Sequence, residues 1–84
     1  MDEHELLLKI GQALRARRSQ LGISQEAFAD SIGMHRAYYG RIERGGTNLT
    51  VGTLGRVTSG MELSIGQLFT SIESQYSDGS PARY

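Results

Sequence analysis

Four residues in the middle of the chain have side chains suited to reading DNA bases: Arg36, Ala37, Tyr38 and Arg41. Arginine offers two parallel N–H donors, which match the O6 and N7 acceptors of guanine in the major groove. Ala37 could contact a thymine methyl group, and the Tyr38 hydroxyl could reach a phosphate or a base edge. Arg36 and Arg41 would lie about 140° apart around a helix, with Ala37 between them. For Tyr38 the alternative is partial burial against a neighbouring turn, and both interpretations stay open.

These four residues lie on the second of two short helices predicted between Ser24 and Gly45. Ser24 is an N-cap residue type, because its hydroxyl can accept a hydrogen bond from a backbone N–H of the first turn. Apolar residues then recur at helical spacing and give the first of the two helices one apolar face. They are Ala27, Phe28 and Ile32. Gly33 suits the left-handed turn that ends this helix.

The second helix begins near His35, carries Tyr39 and Ile42 inward and ends at Gly45. Its outward face bears the four residues named above, none of which the helix needs for its own packing. A short helix, a turn with glycine and a second helix with a basic outward face are typical of a helix-turn-helix. In that motif the second helix enters the DNA major groove.

The chain resembles the phage-repressor type of helix-turn-helix proteins, the Cro/CI-type or lambda-repressor-like family, which includes XRE regulators and restriction–modification controller proteins. The resemblance rests on R-x-x-L-G-I-S-Q-E-x-F-A from Arg18 to Ala29, on I-E-R-G at 42–45 and on N-L-T at 48–50. It covers roughly residues 6–72 and implies an all-α, five-helix, lambda-repressor-like DNA-binding domain. The N-L-T motif and the compact length favour the controller subgroup.

The resemblance also implies roles for residues outside the second helix. Family members pair an arginine at the position of Arg18 with the glutamate of I-E-R-G, here Glu43, which would tie the first helix of the domain to the DNA-reading helix. The alternative is that both side chains reach solvent. Gln25 stands where family members use a glutamine and free N–H groups to hold a phosphate. Controller proteins place phosphate contacts in the loop of Thr47 and Asn48, and such contacts position the protein without reading sequence.

The distribution of charge supports a nucleic-acid partner although the net charge is zero. Residues 9–56 hold eight basic and three acidic side chains, and the two ends carry the offsetting acid. A concentrated basic face can bind phosphate even when the chain is neutral overall. The alternative is a solvated charged surface with no partner.

The same composition argues against several other classes of protein. The chain has no cysteine, so neither a disulfide nor a thiolate metal site is expected. The apolar run Leu6–Leu8 is too short to span a membrane, and no signal peptide precedes it, so we expect a cytoplasmic protein with no membrane partner. His4 and His35 lie in different elements without a nucleophile or carboxylate pair, and no phosphate-binding glycine motif occurs. We therefore expect no enzyme, metal or cofactor, and interpret His35 as a capping or phosphate-facing residue.

Three further helices complete the predicted domain. Asp2 caps the first, whose apolar stripe consists of Leu7, Ile10, Leu14 and Leu21 and which ends at Gly22. Thr50 caps the fourth, whose inward residues are Val51, Leu54, Val57 and Met61. That helix is weakened by Gly52, Gly55 and Gly60, and Gly55 is interpreted as the site of a helix contact too close for a methyl group. Ser64 and Gln67 form a capping box for the fifth helix.

The predicted function is a sequence-specific transcriptional regulator that binds a palindromic operator as a homodimer. One module reads only a few base pairs, so two half-sites one helical turn apart are expected. The dimer interface is predicted in the fifth helix at Ile65, Leu68, Phe69 and Ile72, and the alternative is that all four are used within the monomer. The domain is assigned to residues 1–73, and residues 74–84 to a disordered tail.

A protein–protein role on the same fold, as an antitoxin or an adaptor, is the alternative function, and the tail would be the site for such a partner. An antitoxin that acts through its tail usually carries a longer extension than these eleven residues. No small-molecule effector is expected, because no separate effector domain is present. The sequence leaves activation and repression both open.

Overall fold

The computed structural model describes the backbone of residues 1–77 and the side chains of residues 1–74. This part of the chain contains five helices and no strand, which confirms the predicted all-α, five-helix fold. The helices are α1 (Glu3–Leu21), α2 (Gln25–Ser31), α3 (Arg36–Glu43), α4 (Val51–Gly60) and α5 (Ile65–Ser77). The predicted boundary at residue 73 is wrong, since α5 continues to Ser77; the rest of the predicted tail, residues 78–84, lies outside the described residues.

Side chains cap four of the five helices at the positions that the sequence predicts. The N-cap residues of α1, α2 and α4 each accept a hydrogen bond from the backbone N–H three residues later. They are Asp2 (2.8 Å), Ser24 (3.0 Å) and Thr50 (3.0 Å). Ser64 and Gln67 form a reciprocal capping box at α5, with hydrogen bonds of 2.8 and 2.9 Å. These bonds satisfy N–H groups that no intrahelical carbonyl can reach.

Glycines allow both the tight turns and the closest helix contact. The three glycines predicted to end helices have positive φ angles: Gly22 (+71°), Gly33 (+66°) and Gly45 (+71°). Gly11, to which the sequence analysis assigned no role, lies where α1 touches the end of α3. A Cβ atom there would lie 2.3 Å from the carbonyl oxygen of Glu43, so only glycine lets the two backbones approach this closely.

The core is built from all five helices and from the α2–α3 turn. Its buried apolar residues are Ile10, Leu14, Phe28, Ala29, Met34, Tyr39, Ile42, Leu54, Val57, Met61, Leu68 and Ile72. The Phe28 and Tyr39 rings pack with centroids 5.1 Å apart and planes tilted by 57°, an arrangement that aromatic pairs favour.

Two residues predicted to face inward do not. Val51 is 77% exposed because it is the first residue of α4, at the edge of the core. Ala27 is exposed because Phe28, about 100° further around α2, occupies the side that meets the core.

An ion pair between Arg18 and Glu43 joins α1 to α3. Arg18 Nε lies 2.6 Å from Glu43 Oε2, and Arg18 Nη2 lies 3.0 Å from Oε1. Glu43 is 7% exposed, and it also accepts hydrogen bonds from the Tyr39 hydroxyl (2.5 Å) and from Gln25 Nε2 (2.8 Å). Burial alone would raise the pKa of Glu43, but the hydrogen bonds from Arg18, Tyr39 and Gln25 outweigh it and lower that pKa. The carboxylate is therefore ionised and fully partnered.

We expect Arg18→Met to lower the free energy of unfolding by about 3–5 kcal/mol, because it leaves a buried carboxylate without its cation. Arg18→Met combined with Glu43→Leu should recover part of this loss. Recovery should be incomplete, since Tyr39 and Gln25 then lose their acceptor. Chemical denaturation of the wild type, both single variants and the double variant measures the coupling.

Arg15→Met is the matched control for the ion pair, because Arg15 is an exposed arginine of the same helix. This control should change stability by only a few tenths of a kcal/mol. Strictly additive losses in the double variant would contradict a coupling between Arg18 and Glu43.

The glycines of α4 differ in the room that surrounds them, which gives a second prediction. A Cβ on Gly52 would lie 3.9 Å from Thr50 Oγ1, whereas one on Gly60 would lie 2.5 Å from Ile32 Cγ2. Gly52→Ala should therefore raise the free energy of unfolding by up to about 1 kcal/mol, through better helix propensity and a less flexible unfolded chain. Gly60→Ala should lower it, since the α2–α4 contact must open. Thermal unfolding of the two variants makes the comparison; a lower midpoint for Gly52→Ala would contradict the helical start at Val51.

The interpretation of Gly55 as a site too close for a methyl group is wrong. A Cβ there would lie 3.6 Å from Ile65 Cδ1, an ordinary van der Waals distance. Gly60, at the end of the helix, is the glycine of α4 whose neighbours leave no such room.

Candidate nucleic-acid interface

Helices α2 and α3 together form a concave surface, here called the α2–α3 cleft. It is lined by Arg18, Ser24, Gln25, Glu26, Arg36, Ala37, Gly40, Arg41 and Arg44. Four of these residues are arginines and one is an acid, and although Glu43 neutralises Arg18, basic side chains remain in excess on a chain that is neutral as a whole. A basic concave surface beside an outward helix face is suited to the phosphates and base edges of duplex DNA.

The α3 helix presents three of the four predicted base-reading residues to this cleft. Arg36, Ala37 and Arg41 are exposed there, because Tyr39 and Ile42 occupy the opposite side of α3 and are buried in the core. A helix that is anchored by two large apolar side chains keeps its opposite face in a fixed orientation.

Tyr38 has a different environment from the other three. Its side chain is half-buried and packs against the core, and its ring centroid lies 5.6 Å from the guanidinium carbon of Arg41. The ring of Tyr38 is therefore partly buried, as the alternative interpretation expected. A DNA contact by its hydroxyl stays a prediction.

Several of the counted basic residues form hydrogen bonds with other parts of the protein. Arg17 Nε donates to the Met61 carbonyl at 3.0 Å, at the end of α4. Arg56 donates to the Ile32 and Gly33 carbonyls, both at 2.8 Å, at the end of α2. Cations at these positions satisfy carbonyls that helix ends leave without intrahelical donors. The count of eight basic residues therefore overstated the charge available for DNA.

Arg36 is held by an acidic residue of α2. Its Nε lies 3.2 Å from Asp30 Oδ1 and its Nη2 lies 2.8 Å from Asp30 Oδ2, so the pair is bidentate. Both side chains are more than half exposed, at 59% and 56%. The hydrogen bond from Arg36 lowers the pKa of Asp30 and keeps its carboxylate charged. The sequence analysis did not foresee this pair.

The predicted phosphate-contacting residues are not all in one place. Gln25 lines the cleft, and its Nε2 donates to Glu43, so the ion pair also orients this side chain. His35 is exposed at the N-cap position of α3, and its side chain makes no capping hydrogen bond to the described part of the chain. Thr47 and Asn48 line a separate surface, formed by the loop after α3 and the acidic start of α1. The carboxylates of Asp2 and Glu3 border that surface and would oppose a phosphate there.

Arg44 is a cleft residue that the sequence analysis missed. It lies just after α3, is exposed, and lines the same surface as Arg41, three residues earlier. A spacing of three residues places two side chains next to each other on one helix face, so the sequence could have indicated that Arg44 lies beside Arg41.

A second surface, here called the apolar groove, lies on another part of the domain between α1, α4 and α5. Its apolar lining consists of Leu6, Leu7, Ile10, Leu49, Val51, Leu54, Ile65 and Phe69. Of the predicted interface residues, Ile65 and Phe69 border this groove and are half-buried. Leu68 and Ile72 are only 1% and 2% exposed, because they point into the core, so assigning them to an interface was wrong.

Comparison with known proteins identifies relatives over most of the chain. The helix-turn-helix family HTH_3 matches residues 14–68. The control protein C.MunI of Mycoplasma sp is 30% identical over 73 residues, which cover 86% of this chain and 99% of the relative. The control protein C.SmaI of Serratia marcescens is 34% identical over 70 residues, which cover 83% and 80%.

Solved structures show the same arrangement of helices. The restriction-modification controller protein C.AhdI from Aeromonas hydrophila superposes with a TM-score of 0.71 at 35% identity, covering 75% of this chain and 96% of the other. The controller protein C.Esp1396I, solved as a tetramer with its natural 35 base-pair operator, gives a TM-score of 0.76 at 30% identity, covering 83% and 92%. On the family match and on these relatives, the chain belongs to the Cro/XRE-type helix-turn-helix family HTH_3.

Proposed function

We propose that this chain, a DNA-binding transcription regulator by its family, reads a palindromic operator through α3 as a homodimer. The α2–α3 cleft is the observation that carries the proposal. It presents Arg36, Arg41 and Arg44 around Ala37 on one surface, while the rest of α3 is fixed in the core. Arginine pairs with guanine by two parallel hydrogen bonds, and Ala37 offers a methyl group to thymine.

Backbone contacts in this proposal come first from the start of α2. Gln25 lies in the cleft, and a helix N-terminus attracts anions through its N–H groups. One amide hydrogen of Gln25 is used by Glu43, which leaves the other for a phosphate oxygen. His35, Thr47, Asn48 and the Tyr38 hydroxyl are proposed as secondary contacts. The acidic neighbours of Thr47 and Asn48 make these two the weakest of the set.

The proposed dimer uses the apolar groove. Ile65 and Phe69 of α5 border it together with Val51, which is 77% exposed in the monomer. A two-fold axis beside α5 would cover these side chains and place two α3 helices on successive half-sites. The operator-bound relative is a tetramer, which is consistent with binding by more than one copy.

No catalytic role is part of the proposal. Among the described residues, no group of three or more His, Cys, Asp or Glu side chains could hold a metal ion. No helix within residues 1–77 has both the length and the apolar character needed to cross a membrane. We propose cytoplasmic residence because a regulator must reach its operator, and we propose no effector molecule or membrane partner.

Arg41→Ala should weaken binding to the operator by about 10- to 100-fold and leave binding to a scrambled duplex nearly unchanged. The physical reason is that a base contact adds affinity only where the correct base is present. Arg15→Ala is the control, since Arg15 is an exposed arginine of α1 that does not line the cleft; it should affect both duplexes slightly and equally. Fluorescence anisotropy on operators selected from a random duplex library measures this. An equal loss on both duplexes for Arg41→Ala would restrict this arginine to phosphate contact.

Phe69→Glu should give a folded monomer, and Leu68→Glu an unfolded chain. Phe69 faces the groove, whereas Leu68 lies in the core, where a buried charge without a partner cannot be accommodated. Covering a large apolar side chain in the dimer contributes roughly 1.5–3 kcal/mol, which the charge removes. Sedimentation velocity with circular dichroism tests both variants. A folded Phe69→Glu variant that keeps the wild-type mass would place the interface elsewhere.

A further inference from the structure

We propose that Asp30 is a positioning residue for base recognition, which holds one edge of the Arg36 guanidinium and leaves the other edge free for guanine. This inference rests on the function proposed above. Asp30 is an acidic residue next to a surface proposed to bind DNA, which is itself negatively charged. A role in sequence selectivity would account for its position there.

The atoms of the pair define which edge stays free. Asp30 accepts from Nε at 3.2 Å and from Nη2 at 2.8 Å, which uses two of the five N–H donors of the guanidinium. The remaining donors are one on Nη2 and two on Nη1. One hydrogen from each terminal nitrogen projects along the far edge, and these two are parallel. That edge has the donor pattern that matches guanine O6 and N7.

The contribution of this pair to folding is expected to be small. Both side chains are more than half exposed, and exposed ion pairs contribute little to stability. Its effect is expected in binding instead, because a flexible arginine must be ordered when it contacts a base. A carboxylate that already fixes the guanidinium plane reduces this ordering cost.

The charge of Asp30 also affects which partner Arg36 accepts. A phosphate that paired with Arg36 would lie close to the Asp30 carboxylate and be repelled, whereas the neutral acceptor edge of guanine would not. Glu26, the other acid of α2, acts on Arg36 only through its longer-range charge. Asp30 therefore favours base contact over phosphate contact at this arginine.

The test compares base discrimination in four variants of the full chain. Operators are first selected from a random duplex library with the wild type. Each base pair of a half-site is then changed in turn, and Kd is measured by fluorescence anisotropy. Arg36→Ala identifies the guanine that Arg36 contacts, as the position at which discrimination is lost. The other variants are Asp30→Ala, the double variant Asp30→Ala with Arg36→Ala, and Glu62→Gln, which removes one negative charge from an exposed position outside the cleft.

We expect Asp30→Ala to reduce discrimination at that guanine by about 5- to 10-fold, a coupling typical of contacting residues. Binding to a scrambled duplex should stay equal or tighten, because one negative charge is gone. The double variant should discriminate no worse than Arg36→Ala alone. Glu62→Gln should affect binding to both duplexes slightly and equally and leave discrimination unchanged, because its side chain lies outside the cleft. Circular dichroism should show all four variants folded.

Two results would overturn the inference and leave the proposed function in place. The first is that the Asp30→Ala variant binds every duplex more tightly than the wild type and discriminates between bases equally well. That result would mean that Asp30 only holds Arg36 back from DNA. The second is that Asp30→Ala lowers discrimination by the same factor in the wild-type protein and in the Arg36→Ala variant. If the wild type selects no sequence from the library, the proposed function itself fails.

Discussion

The buried ion pair between Arg18 and Glu43 is the interaction on which the geometry of this domain most depends. It joins the end of α1 to the end of α3, and the Glu43 carboxylate also binds Tyr39 and Gln25. Removing two charges from water is costly, so such a pair is weak evidence for stability by itself. Its main consequence is the orientation of the groups around it. Four hydrogen bonds from three elements converge on one carboxylate, and together they fix how α3 is presented and where the side chain at the start of α2 points.

Arginine has two separate uses in this chain, and the hydrogen-bond partners of each side chain distinguish them. Arg17, Arg18 and the exposed Arg56 donate to other groups of the protein, where each stabilises a helix end or a helix contact. Arg41 and Arg44 lie exposed on the α2–α3 cleft. A neutral chain can present a basic surface because six of its nine acidic residues lie outside residues 9–56. Net charge alone describes neither use.

Local rules were sufficient to predict the helices, whereas spacing along the chain did not predict how the helices contact one another. Caps and left-handed glycines depend on residues three or four positions apart, so Asp2, Ser24 and Thr50 were identified from the sequence. The family pattern supplied the pairing of Arg18 with Glu43, which spacing alone does not reveal. The Asp30–Arg36 pair, the exposure of Val51 and the close contact at Gly11 depend on how α1, α2 and α4 meet their neighbours. Helical periodicity also left the choice between Leu68 and Phe69 open, because adjacent residues differ by about 100° and only the packing of α5 decides.

Helix α1 connects the two surfaces on which the proposed function depends. Near its start, Leu6 and Ile10 border the apolar groove, and further along, Gly11 and Arg18 contact α3. A single helix of 19 residues, about 28 Å long, thus spans from the proposed dimer axis to the DNA-reading helix. In a two-fold dimer the distance between the two α3 helices must match one turn of DNA, about 34 Å. A helix is stiff over this length, so the close contact at Gly11 and the ion pair at Arg18 hold α3 at a fixed distance from the groove. The spacing of operator half-sites is therefore expected to follow from the packing of α1 against α3 rather than from the bases themselves.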